Sequence, residues 1–249
     1  MSTVRGARER ARIEVTAAIK DEARRQLAAD GAAKLSLRAV ARELGMVSSA
    51  LYRYFPSRDE LLTALIVDAY DSVGEAAESA HRTADPGPST SAAHLARWVA
   101  VACAVRGWAL EHPHEYALIY GSPVPGYTAP QATIGPASRV GRVLIAVVED
   151  AHREVGLALP PLGEELRPEA ERLAADLAPE LPPAVAVSIV AAWSQLFGLL
   201  SFEIFGQFNR VVEDRDIFFR HAVEELARTV GLLGTAGRGQ TGTAGRARR

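Results

Sequence analysis

The sequence predicts an all-α protein in two parts, an N-terminal three-helix domain with a helix-turn-helix and a larger helical bundle behind it. Three observations carry this. Apolar residues recur at helical spacing in segment after segment, from Ile13, Ala17, Ile19, Ala23 and Leu27 near the start to Phe219, Ala222, Val223, Leu226 and Val230 near the end. No run alternates apolar and polar residues as a half-buried strand would, and no internal repeat is present. Charge is also divided along the chain: residues 1–60 hold 12 Arg and Lys against 8 Asp and Glu, whereas residues 61–237 hold 12 against 22. A basic head on an acidic body suits a nucleic-acid-binding module joined to a part that need not touch phosphate.

Taken in order, the first helix spans about residues 8–29 and stops at Gly31. A short helix over 37–44 has Ser36 in the N-cap position and ends at Gly45. The next, 48–54, is stopped by Pro56, because the residue before a proline is pushed out of the helical region. The run Ser57, Arg58, Asp59, Glu60 has the form of a capping box and opens a long amphipathic helix through Leu61, Leu62, Leu65, Ile66 and Ala69. "TADPGPSTS", residues 83–91, breaks it, and a helix over 92–110 follows. Prolines and glycines make "EHPHEYALIYGSPVPGYTAP" an expected irregular loop. A helix near 136–155, one short helix among the prolines of 157–183, and two strong helices over 184–207 and 216–233 complete the fold. The expected division is a DNA-binding domain over 1–66, a ligand-binding and dimerisation domain over 67–233, and a disordered basic tail over 234–249.

With 249 residues and 48% hydrophobic composition the chain can bury a sizeable core. No run of about 18 uninterrupted apolar residues is present, and "MSTVRGARERARIEV" lacks the apolar stretch of a secretory signal, so a cytoplasmic protein without a membrane partner is expected. The single cysteine, Cys103, excludes an intramolecular disulfide and a cysteine-based zinc site.

The segment "LGMVSSALYRYFPSRDEL", residues 44–61, crowds Tyr52, Arg53, Tyr54 and Phe55 onto a helix too short to bury them all. Two short helices joined by a three-to-four-residue turn near a glycine form a helix-turn-helix, whose second helix enters the major groove. Leu37, Val40, Ala41, Leu44, Val47 and Leu51 are expected to face inward, leaving Ser48, Ser49, Ala50, Arg53 and Tyr54 outward. The hydroxyls of Tyr52 and Tyr54 can reach phosphates, with Arg38 and Arg58 supplying charge at either end.

Residues 8–66 resemble the DNA-binding domain of the tetracycline-repressor (TetR) family, whose signature is similar to "LSLRAVARELGMVSSALYRYFPSRDELLTAL", residues 35–65. The resemblance implies base-reading roles for Arg38, Ser48, Ser49 and Ala50, and phosphate contacts for Ser36, Tyr52, Tyr54 and Arg58. Family members often carry Ser or Thr where this chain has Val47, so the cap of the reading helix is expected to pass to Ser48. Residues 106–127, "RGWALEHPHEYALIYGSPVPGY", resemble the C-terminal domain of the WHG-type subset.

Other chemistry is read as structural. His112 and His114 in "HPHE" lack further ligands at supporting spacing, and Glu164, Glu165, Glu169 and Glu171 read as a solvated face. Ser36, Ser48, Ser57 and Ser201 have no His and Asp partners, so no enzyme, metal or cofactor is implied. Cys103 reads as a small buried hydrophobe. The aromatics Trp98, Trp108, Tyr116, Tyr120, Tyr127, Trp193 and Phe197 are either core or the wall of a cavity. On the second reading Trp108, Tyr116, Tyr120, Trp193 and Phe197 hold a mainly apolar effector, with Gln195 or Glu203 as polar anchors, and the helix from Ser57 onward tilts as a lever.

The helix over 185–205 is apolar nearly all round and needs cover on every side, which a second subunit would supply. Gly198, Phe205, Phe219, Val223, Leu226 and Val230 are the expected dimer contacts. The functional expectation is a homodimeric repressor released from a palindromic operator on double-stranded DNA by a small ligand. Two alternatives stand beside it: a ligand-independent activator or architectural protein, and a small-molecule-binding helical protein whose helix-turn-helix is only structural.

Overall fold

The computed structural model describes residues 2–84 and 89–232, with backbone alone for 2–5; the expectation for 234–249 lies outside the described residues. Among the described residues every regular element is helical. The head comprises α1 (Ser2–Asp30), α2 (Leu37–Glu43) and α3 (Ser48–Leu51), closed by the start of α4 (Arg58–Thr83). Ile19, Ala23 and Leu27 of α1 pack against Leu37, Val40 and Leu51. Residues 6–14 of α1 are exposed throughout, so the helix runs well beyond the part that packs.

Local chemistry sets the ends. The Ser36 hydroxyl accepts from the Ala39 N–H at 3.4 Å, and the Ser57 hydroxyl accepts from the Glu60 N–H at 3.1 Å. Gly45 turns the chain at φ 64°, a conformation other residues adopt reluctantly. Helical hydrogen bonds continue past α3, from Tyr52 N–H to Ser48 O at 3.1 Å and Phe55 N–H to Leu51 O at 3.1 Å, until Pro56 stops them. Val47 is the N-cap of α3 with no side-chain cap, and it is 70% exposed rather than inward. Met46 takes the inward place, its N–H bonded to Ala41 O at 2.8 Å and its side chain against the head core.

One helix serves both parts. Leu61, Leu62 and Leu65 of α4 close the head, while Ala69, Val73 and Ala77 enter the core of the body. Its 26 residues reach about 39 Å at about 1.5 Å per residue. The body adds α5 (Ser91–Glu111), α6 (Pro113–Tyr120), α7 (Ile134–Ala137), α8 (Arg139–Glu154), α9 (Arg167–Leu177), α10 (Pro183–Ile204) and α11 (Arg215–Thr229). Trp98 on α5 is buried at its centre, its indole N–H donating to Val223 O of α11 at 3.2 Å.

The loop expected over "EHPHEYALIYGSPVPGYTAP" is partly helix. Pro113 opens α6 at its first turn, where a missing N–H costs nothing, and Tyr116 anchors the helix in the core. A second correction concerns α11. Phe219, Val223, Leu226 and Val230, expected at a subunit interface, lie at 0–6% exposure in the protomer's own core. Their apolar seam faces α5, which the period of the sequence could not distinguish from a partner.

By length and composition α10 is apolar enough to cross a membrane, with a mean hydropathy of 1.8 over its best window, of which 39% is buried inside the bundle. Its uncovered side carries Gly198, Phe202 and Phe205, the two phenylalanines 54% and 45% exposed. Phe208 links Phe202 to Phe218 of α11 through edge contacts with centroids at 5.7 and 5.4 Å, extending an aromatic patch across both helices.

Candidate nucleic-acid interface and effector cavity

The outer surface of the head is polar and open. Arg38, Ser48, Ser49, Tyr52 and Arg53 are exposed, while Ser36, Ala50 and Tyr54 are half-buried. Neither Arg38 nor Arg53 forms an ion pair with a described residue. Small side chains at the start of α3 leave room for base edges, and Tyr52 and Arg53 follow one turn later. Tyr54 also leans on the head core, and the Ser36 hydroxyl is shared with the α2 cap. Arg58 has a different role from the phosphate contact expected of it. Its guanidinium points back into the head and donates to the carbonyls of Leu35 at 3.2 Å, Ala32 at 2.9 Å and Ala33 at 3.2 Å. These bonds tie the turn after α1 to the start of α4.

Behind the head, a cavity of about 740 Å³ opens where α4 leaves the head core, bounded by Ile66, Tyr70, Tyr120, Tyr127, Thr133 and Trp193. None of the residues lining it carries a charge. Tyr70 donates to Ile119 O at 3.2 Å, and the Tyr127 hydroxyl lies 2.9 Å from that of Thr63. Tyr120 packs between Tyr116 and Phe197, with the Phe197 ring stacked at 4.1 Å. Burial first, then the neighbouring Tyr70 and Tyr116, push the Tyr120 phenol far above its ordinary pKa, so it stays a neutral hydroxyl. It makes no hydrogen bond to a described residue.

Of the residues expected around an effector, Tyr120 and Trp193 line this cavity and Phe197 backs it. Trp108 and Tyr116 belong to the core instead: Trp108 donates to the Ser72 hydroxyl at 2.8 Å, and the Tyr116 hydroxyl lies 3.0 Å from Phe197 O and 2.9 Å from Ser201 Oγ. Gln195 sits on the outer face of α10 and bonds back to Ala191 O at 3.2 Å. Glu203 is buried because Arg106 pairs with both of its oxygens at 2.7 Å, with Phe219 beneath the guanidinium. Both proposed polar anchors are therefore occupied structurally or turned away. The cavity's Tyr70 was missed because nothing in its local sequence separates it from an ordinary helix residue.

The cavity wall also touches the head. Leu118, Val124 and Tyr127 pack against the head core. Beside them, Arg24 of α1 reaches Asp68 of α4 at 2.8 Å and Glu115 of α6 at 3.1 Å, and Lys20 meets Asp68 at 2.8 Å. Among the described residues no group of three or more His, Cys, Asp or Glu could hold a metal ion; the His112 Nδ1 lies 3.0 Å from Glu115 Oε2.

A polar reading helix on a small head, joined through one long helix to an all-helical body, defines a two-domain helix-turn-helix DNA-binding regulator. Residues 19–65 match the family described as bacterial regulatory proteins, tetR family, and residues 98–226 match the tetracyclin repressor-like C-terminal domain. The HTH-type transcriptional regulator Rv1816 of Mycobacterium tuberculosis strain H37Rv is 41% identical over 211 residues, covering 82% of this chain and 86% of that protein. The crystal structure of SCO4313 superposes with a TM-score of 0.71 at 35% identity, covering 88% of this chain and 97% of that one. The TetR family transcriptional regulator PfmR of Thermus thermophilus shares the fold, with a TM-score of 0.53 at 18% identity over 84% of this chain and 97% of its own. The chain belongs to the TetR family of transcriptional regulators, which are not enzymes.

Proposed function

We propose that the protein is a homodimeric repressor, acting in the cytoplasm, that a small uncharged-to-apolar molecule releases from a palindromic operator. The observation that carries this reading is the packing of Leu118, Val124 and Tyr127 at once beside the 740 Å³ cavity and against the head core. A molecule entering the cavity displaces a wall that packs against the head core, so its binding energy differs between DNA-competent and released states. Base reading falls to Arg38, Ser48, Ser49 and Ala50, with Ser36, Tyr52, Arg53 and Tyr54 on phosphates; Arg58 holds the head together.

The second subunit covers the outward stripe of α10, where Gly198 leaves open space for a close approach, and the patch around Phe202, Phe205 and Phe218. Two reading helices on one twofold axis meet half-sites about one helical turn, or a multiple of it, apart. Selection of bound duplexes from a random pool tests this reading: an imperfect palindrome bound by a dimer is expected, and a pool that stays random would overturn it.

A further inference from the structure

A second cavity of about 440 Å³ lies between α8, α9 and α10. Its wall is aliphatic, formed by Ile145, Leu173, Leu177, Ile189 and Val190. Two charges reach it, Arg142 and Asp176, opposite in sign and both exposed. Ala137, Ser138 and Trp193 line this cavity and the tyrosine cavity alike, so the two adjoin at these residues. Both volumes fall in the range of small-molecule sites, about 300–1,000 Å³.

The two chambers differ in chemistry. In the tyrosine chamber the hydroxyls of Tyr70, Tyr127 and Thr133 are already bonded, whereas those of Tyr120 and Ser122 have no hydrogen bond to a described residue. Those two hydroxyls suit a ligand hydroxyl or carbonyl. An ionised head group would find no counter-charge there, and burying an unpaired ion is far more costly than burying a hydrogen-bonded neutral group. Apart from the exposed Arg142 and Asp176, the aliphatic chamber offers contact area, which rewards methylenes.

We propose that the effector is an uncharged amphiphile, its hydroxyl or carbonyl head among Tyr120 and Ser122 and its aliphatic chain passing Trp193 into the chamber between α8, α9 and α10. This deepens the effector reading above and rests on it. Selectivity then comes from the missing charge at one end and from chain length at the other.

Calorimetric titration of the full chain with 1-decanol, decanoate and decylammonium tests it. Decanol should bind at least about tenfold more tightly than either ion. Across the alcohols from butanol to decanol, each methylene should tighten binding about three- to fourfold. Tyr120→Phe should weaken every alcohol without changing that slope. Gly141 borders the aliphatic chamber and a Cβ there meets nothing within 4 Å, so Gly141→Phe should fill the chamber and flatten the slope. Equal or tighter binding of an ion, absence of binding by the alcohols, or a slope unchanged in a folded Gly141→Phe variant would each overturn the proposal. Should that variant not fold, the wild-type slope and the ion comparison decide alone. The titrations contain no DNA, so they stand or fall separately from operator release, which is read by adding decanol to the protein-duplex complex.

Discussion

Arg24 and Glu115 meet across the junction of head and body, the guanidinium Nε donating to the carboxylate at 3.1 Å. Arg24 lies on the helix that carries the head core, and Glu115 lies on α6, whose end forms the wall of the tyrosine cavity. A charge pair and the Leu118 contact thus join α6 to the head, and on the proposed mechanism they carry a movement of α6 to it. Replacing Glu115 by Gln should leave the fold intact and change stability by roughly 0.2–1 kcal/mol, as for other partly exposed pairs. The sharper effect should be on coupling: the factor by which effector weakens operator binding should shrink, with the affinity of the effector-free protein changed little. Operator titrations with and without effector, in both proteins, measure it.

Arg38 and Arg58 should behave oppositely. Arg38→Ala removes an exposed cation from the reading face and should cost about 1–3 kcal/mol in specific binding while relaxing one base position. Arg58→Ala removes bonds to three carbonyls and should destabilise the head by about 1.5–3 kcal/mol, with the salt slope of DNA binding unchanged. Urea unfolding and salt-dependent anisotropy separate the two; a lowered salt slope in Arg58→Ala would return it to the phosphate contacts.

The subunit interface should respond on the outside of α10 and not along the inner seam of α11. Phe202→Glu and Gly198→Leu alter exposed positions and should give folded monomers with weakened DNA binding. Leu226→Ala, in the protomer core, should cost about 2–5 kcal/mol of folding stability. Sedimentation with circular dichroism distinguishes these outcomes, and an intact dimer in both surface variants would place the interface elsewhere.

Stability should fall on mild acidification. Burial first, then Arg97, hold the imidazole of His81 below its ordinary pKa of 6.5, with Asp150 acting the other way and Arg82 adding to the depression. Unfolding releases this restraint, so the unfolded chain takes up the proton first. The contribution is present above 6.5 and is lost as pH falls below that value toward the folded pKa. Glu78, held below the ordinary carboxylate range by Arg139, acts only at lower pH. Unfolding free energy should be greater at about pH 7.5 than at about pH 5.5, and His81→Gln should narrow the difference.

The head was legible in the sequence because its signals are local: the Ser36 cap, Gly45, Pro56 and the Ser57 capping box all act within a few residues of where they stand. The candidate effector cavity was legible only in part. Tyr70, Tyr120, Tyr127 and Trp193 come from four separate segments, and an aromatic that lines a cavity carries the same local pattern as one in the core, as Trp108 and Tyr116 illustrate. Glu203 resembled a free polar anchor because its partner, Arg106, lies 97 positions away. Periodicity identified an apolar seam on α11 but not its cover. In the sequence Pro113 has the pattern of a breaker, because its place in the first turn of α6 depends on where that helix begins.

Reciprocity gives the most direct test of coupling between cavity and head. A ligand that weakens operator binding by some factor must itself bind the operator complex more weakly by the same factor. Titration of 1-decanol into the protein alone and into its complex with the selected duplex, followed by calorimetry and by tryptophan fluorescence, measures both sides. The predicted result is tighter binding to the free protein, matched by the loss of operator affinity at saturating ligand. Identical affinities in the two titrations would mean that the cavity holds the molecule without governing the reading helix.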